Sequence, residues 1–148
     1  MSLYLFKIRK PRGAPKPDGS TPQLDEIDPV AEPEMQPVNG IMPDSKEEWR
    51  SILALDYLKL GYQFHYAMFG GRNRTGGAEI DILAETVPLK TPIFINGAYW
   101  HKKDDFKQNL QVSRINKLGY FRRAIIVWDY EIPTLTQAIQ VYKERLRL

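Results

Sequence analysis

The segment "IFINGAYWHKKDD", Ile93 to Asp105, closes an apolar run with Asn96-Gly97, then adds two aromatics, His101, two lysines and two aspartates. Upstream, "AEIDILAE" sets Asp81 between two isoleucines. A turn centred near Leu89 folds these stretches together as antiparallel strands and pairs Asp81 roughly with Gly97. Facing α-carbons in such a pair are about 4.5–5.5 Å apart. Asp81 is therefore expected beside the end of the next strand, near a free backbone carbonyl and His101. Carboxylate, carbonyl and water oxygens are the ligands that hard cations such as Mg²⁺ favour. An imidazole close by can take a proton from an attacking water. A metal ion there would polarise a phosphate and stabilise the charge building on it.

Each residue also has a plainer explanation. Asp81 could face solvent, although aspartate is disfavoured in strands. His101 could be a polar residue ending a strand. Glu48 is explained equally well as part of a helix cap, and Asp104 and Asp105 as acids at a helix N-terminus, where the macrodipole favours them. Tyr99 and Trp100 read as core or wall residues, and His65, in an aromatic strand, reads as structural.

The elements that must position these groups follow from the pattern of the chain. Its 148 residues are about one domain's worth, enough for one hydrophobic core, and 43% hydrophobic with 26% charged is ordinary globular composition. Cysteine is absent, which excludes disulfides and thiolate metal sites and suits a reducing, intracellular setting such as a host cytoplasm. No stretch approaches the roughly 20 apolar residues of a membrane helix, and "MSLYLFKIRK" lacks a signal-peptide pattern, so a soluble protein is expected. The net charge is +3 and unevenly spread. Residues 1–16 carry five bases and no acid, residues 17–44 seven acids and no base. Such a pattern fits solubility or a polyanionic partner.

Eight of the 11 prolines precede residue 45. Proline lacks an amide donor and continues neither a helix nor a central strand, so residues 1–44 read as an extended proline-rich arm, free to lie along a protein partner or a second copy of the chain. Residues 45–148 read as the folded domain. Ser45 and Glu48 form a capping-box pattern opening a helix that runs to Gly61. "YQFHYAMF", "AEIDILAE" and "TPIFIN" are three strands, with Ile80 and Ile82 on one face of the second and Glu79, Asp81 and Leu83 on the other. A helix over "DDFKQNLQVSRINKL" closes at Gly119. "RRAIIVWDY" is a strand of the buried kind, and "TLTQAIQVYKERL" a last helix. The expected class is α+β, in three layers: helix, three-strand meander, helix, strand, helix, with the last strand joined by a helical crossover.

The series "EEW…LKLGYQF…GGRNRTGGAEIDIL…IFINGAYWH…LGYFRRAIIVWDYEI" resembles the very-short-patch-repair (Vsr-like) branch of the PD-(D/E)XK nucleases, including phage-type members, over about residues 45–132. The resemblance implies a restriction-endonuclease-like core and a Mg²⁺- or Mn²⁺-dependent DNA endonuclease or nickase. It implies that Asp81 binds the metal, that the Ile95 carbonyl completes the metal shell, that Glu48 holds metal-bound waters and that His101 helps activate water. Asn96 stands where many relatives have a second histidine. The PD-(D/E)XK lysine is absent, as is usual in this branch, and without cysteine the family's structural zinc site does not exist. Relatives often carry an aspartate well into the second helix, where this chain reads Gln108-Asn109-Leu110; Asp105, about one turn earlier, is the candidate substitute. Arg72 and Arg74 in the glycine-rich turn, with Lys102 and Lys103, are candidate contacts to DNA phosphates, which supply affinity without sequence choice. The competing expectation is a nuclease-fold module that no longer cleaves and serves as a DNA-binding or assembly piece, for example in a virion, through its arm.

Overall fold

The computed structural model describes residues 30–71, 77–97 and 105–148, the side chains of Asp105, Phe106 and Lys107 excepted. Residues 1–31 and 32–148 are separate units, and the description below concerns the second. His101, Arg72, Arg74, Lys102 and Lys103 lie outside the described residues, as does the side chain of Asp105.

The order of elements is α1 (Lys46–Tyr57), β1 (Tyr62–Met68), β2 (Ala78–Ala84), β3 (Thr91–Asn96), α2 (Asp105–Lys117), β4 (Ile125–Trp128), a 3-10 turn (Asp129–Glu131) and α3 (Leu135–Arg145). The fold is α+β, with one four-stranded mixed sheet in the order β1-β2-β3-β4. The first three strands are antiparallel, and β4 returns parallel to β3 after α2, as the helical crossover predicts.

Helix α1 starts where its cap requires. Ser45 is the N-cap, and its side chain accepts a hydrogen bond from the Glu48 amide. Trp49, Ile52 and Leu55 recur at helical spacing and are buried. The helix ends before Gly61. Lys59 takes the left-handed conformation (φ 58°), its amide bonding Asp56 O and that of Leu60 bonding Leu55 O. This is a Schellman closure with lysine in the place glycine usually holds. Gly61 lies beside the end of β2, where its carbonyl accepts from the Glu85 amide at 2.8 Å.

Helix α2 covers one face of the sheet. Its Ile115 and Val112 pack with Ile80, Leu83, Phe94 and Ile126. On the other face Ile82, Ile93 and Val127 are fully buried, and α1, packed against α3, reaches β2. The buried Tyr142 hydroxyl of α3 donates to Ser51 Oγ of α1 at 2.6 Å. Strand β4 is shorter than expected and forms the sheet's edge, with Val127 alone fully buried in it.

Residues 32–44 run along this unit. The Trp49 indole donates to Pro33 O at 2.9 Å, and Arg50 pairs with Glu32 at 2.6 Å. Between them, Val38 and Ile41 exchange backbone hydrogen bonds across Asn39-Gly40, both at positive φ. That is the backbone of a two-residue type I′ turn, for which Asn-Gly is the favoured sequence.

Candidate functional site

Ile80 and Leu83 share one apolar cluster. In an unbroken strand residues three apart point to opposite faces, so the alternation of β2 slips once between them. This corrects the expectation that Ile80 and Ile82 share a face with Leu83 opposite. The matching irregularity on β1 is at His65, whose φ is 55°. Phe64 pairs with Ile82 and Tyr66 with Ile80, so the register is unchanged across the irregularity and His65 lies opposite Asp81. A left-handed histidine inside a strand costs of order 1–3 kcal/mol and persists only where its surroundings hold it.

Those surroundings are carboxylates. His65 Nε2 is 2.8 Å from Glu48 Oε1 and 3.9 Å from Asp44 Oδ2, and Nδ1 is 3.0 Å from Glu79 Oε1. Glu48 is 6% exposed, so its carboxylate is a built-in part of the interior rather than a surface cap. Burial disfavours the His65 imidazolium. The hydrogen bond to Glu48 and the charges of Glu48, Glu79 and Asp44 outweigh that effect, and the His65 pKa is raised.

Asp81 completes the group. Its Oδ2 accepts a hydrogen bond from the Ile95 amide at 2.8 Å. The β2–β3 register pairs Ile82 with Ile93, Leu83 with Pro92 and Ala84 with Thr91. Extended by one residue it sets Asp81 against Phe94, three residues from the Gly97 pairing expected from the sequence. The difference arises at Glu85–Lys90, where Thr86 Oγ donates to the Leu89 carbonyl at 2.6 Å and lies 2.6 Å from Thr91 Oγ, drawing the loop in. The Asp81 carboxylate takes the Ile95 amide just beyond the Ile82–Ile93 pair that ends the ladder between these strands. A strand residue turns its N–H and C=O to the same side, so the Ile95 carbonyl faces that gap too. Burial pushes the Asp81 pKa up to about 7; the Ile95 amide and the His65 charge pull it down, while Glu48 and Glu79 push it further up.

The structure therefore brings together Glu48 and Asp81, both singled out in the sequence, and adds His65, Glu79 and Asp44. His65 reads as structural from sequence because it sits in an aromatic run. The one signal available was its alignment with Asp81, which needs the β1–β2 register. Among the described residues, Asp44, Glu48 and His65 could hold a metal ion, since one ligand atom from each lies within 4.8 Å of the others. Two carboxylates and an imidazole are a plausible donor set for a divalent cation.

On the other face of β3, Asn96 and Gln108 of α2 form a reciprocal amide pair. Asn96 Nδ2 donates to Gln108 Oε1 and Gln108 Nε2 to Asn96 Oδ1, each at 2.6 Å. Asn96 is fully buried.

No protein-family model matches this chain, and no curated protein or solved structure matches it. Among the described residues no helix is long and apolar enough to cross a membrane.

Proposed function

We propose that the chain is a metal-dependent DNA endonuclease or nickase with a restriction-endonuclease-like core of the Vsr-like type. The observation that carries the reading is the convergence of Glu48 and Asp81 on one side of the sheet, at the place where β2 and β3 part. They come from a helix and a strand, 33 positions apart in the chain. Asp81 and the Ile95 carbonyl are the groups that would hold Mg²⁺ or Mn²⁺, with Glu48 holding waters bound to the ion. Such an ion supplies Lewis-acid stabilisation of the phosphate and of the leaving oxygen.

The chain's own residues divide the remaining work. The Ile95 amide orients the Asp81 carboxylate. Glu48, held by His65, points a second carboxylate at the same region and can order water. His101, a few residues beyond β3, is the proposed acceptor of the proton from the attacking water. Arg72, Arg74, Lys102 and Lys103 are the proposed contacts to DNA phosphates, and Asp105 the proposed substitute for the missing acid of α2.

Plasmid nicking in Mg²⁺ or Mn²⁺, wild type against Asp81→Ala, tests the reading. Metal-dependent nicks lost in the variant are expected; a folded wild type that leaves every DNA form intact sinks it.

A second reading is favoured by the Asn96–Gln108 pair. Two positions where relatives carry a histidine and, nearby, an acid are here neutral and satisfy each other. A fold of this kind without cleavage would act as a DNA-binding or assembly module, with residues 1–44 reaching a protein partner or a second copy. Removing residues 1–31 and measuring assembly size separates the two: a loss of assembly with no nicking in wild type favours the module.

A further inference from the structure

We propose that Asp44, Glu48 and His65 form a site for one first-row transition-metal dication of the Zn²⁺ or Co²⁺ class, a position separate from the Asp81–Ile95 gap and sharing only Glu48 with it. This inference stands on its own observations and holds whether or not the chain cleaves DNA.

Three features point to an ion of this kind. The first is ligand spacing. Donors on one ion at about 2.0–2.2 Å cannot be much more than 4 Å apart. His65 Nε2 lies 2.8 Å from Glu48 Oε1 and 3.9 Å from Asp44 Oδ2, and all three ligand atoms lie within 4.8 Å of one another, so closing the set needs the exposed Asp44 side chain to move in. The helix start holds two of the three: the Ser45 cap fixes Glu48, and the Asp44 amide reaches Glu48 Oε1 at 3.4 Å.

The second is the group behind the imidazole. A metal-bound histidine almost always gives its other ring nitrogen to a carboxylate or carbonyl, which sets the ring orientation. Glu79 Oε1 is 3.0 Å from His65 Nδ1, on the side away from Glu48 and Asp44. The ring therefore presents Nε2, and only Nε2, to the two carboxylates. His65 takes this position with a left-handed backbone.

The third is charge. Four carboxylates, Asp44, Glu48, Glu79 and Asp81, act on one imidazole, which at best supplies a single positive charge. A dication in the triad offsets the excess. The nitrogen ligand sets the class. Mg²⁺ and Ca²⁺ take oxygen donors and Mg²⁺ gives up water reluctantly, whereas imidazole suits zinc and its neighbours. Asp81 lies outside the group of three whose ligand atoms come within 4.8 Å of one another, its Oδ2 turned to the Ile95 amide in the β2–β3 gap.

The test uses the untagged full chain, stripped with a chelator and titrated calorimetrically with Zn²⁺ and with Mg²⁺. Expected is one equivalent of Zn²⁺ bound at least about 100-fold tighter than Mg²⁺. Asp44→Asn should weaken Zn²⁺ binding about tenfold or more, and Glu79→Gln by about 10–100-fold through the ring orientation. Asp44 is largely exposed, so its variant keeps the metal-free thermal midpoint and a failure to fold cannot mimic the result. Asp81→Asn should weaken Zn²⁺ binding less than Asp44→Asn does. With Co²⁺ as probe, visible absorption bands should appear in wild type and be lost in His65→Gln. Wild type that binds no Zn²⁺, equal affinity for Zn²⁺ and Mg²⁺, or undiminished binding by Asp44→Asn overturns the proposal. Absent nicking with intact Zn²⁺ binding removes the nuclease reading alone.

Discussion

Strand β3 separates two polar groupings, one centred on the buried Asn96 and one reaching the surface at Asp44, that solve the same problem differently. On the α2 side, Asn96 and Gln108 are neutral, and each donates to and accepts from the other. On the α1 side, Glu48, Asp81, Glu79 and Asp44 crowd one imidazole, and Asp81 has its pKa driven to about 7. A paired amide recovers the hydrogen bonds that burial takes from water. Surplus carboxylates cannot do so for one another, because bringing like charges out of water costs free energy that no neutral partner returns. The first grouping holds the fold together. The second is maintained against its own electrostatics, which is how sites for cations and for proton chemistry are commonly built.

Substitutions on the two sides should therefore move stability in opposite directions. The largest expected effect is on activity. Under the proposed function, Asp81→Asn should lower metal-dependent nicking by a factor of about 100 or more, as loss of a group that stabilises developing charge does; a rate within threefold of wild type would place the chemistry elsewhere. The same variant should make the metal-free protein more stable. Asp81 holds its proton more tightly folded than unfolded, so its contribution is whole below the unfolded pKa near 4 and is lost as pH rises through about 7. Urea unfolding in chelator should therefore show Asp81→Asn ahead of wild type by roughly 2–4 kcal/mol at pH 8, the difference shrinking toward pH 4. An equal gap at both pH values would mean packing, not charge, is responsible.

Asn96→Ala should act the other way, destabilising by roughly 1–3 kcal/mol because the Gln108 amide loses its partner. This cost should not vary between pH 5 and pH 8. The double variant Asn96→Leu with Gln108→Leu should recover much of it, and a strictly additive double variant would show that the two amides do not work as a pair. The smallest effect belongs to the segment before α1. Glu32→Ala removes one partner of a partly exposed ion pair and should cost under about 1 kcal/mol in thermal unfolding, nearly vanishing in high salt.

Much of the framework was legible in the chain. "TPIFIN" coincides with β3, residue for residue, and the Ser45 cap, the three-strand meander and the closure of α2 at Gly119 all follow from local patterns. Such features depend on neighbours a few positions away, which a linear reading sees. Register was less legible. A turn centred near Leu89 misplaces the β2–β3 pairing by three residues, since Thr86 and Thr91 fold the loop through side-chain bonds that no turn dipeptide announces. The helix closes at Lys59, two residues before Gly61, through a left-handed lysine, a residue type that does not announce that conformation.

The sequence by itself determined which segments are helix and which are strand, that Glu48 begins a helix and that Asp81 sits among isoleucines in a strand. It also determined that no thiolate could take part in any site, since no cysteine exists. Tertiary structure alone decided which groups meet. His65 became the centre of the carboxylate cluster because the β1–β2 register sets it opposite Asp81 and the packing of α1 brings Glu48 to 2.8 Å from its Nε2. Periodicity tells a residue which face it shares with its chain neighbours; it says nothing about which residue waits on the strand or helix alongside. That choice is made by register and packing, which sum over the whole core.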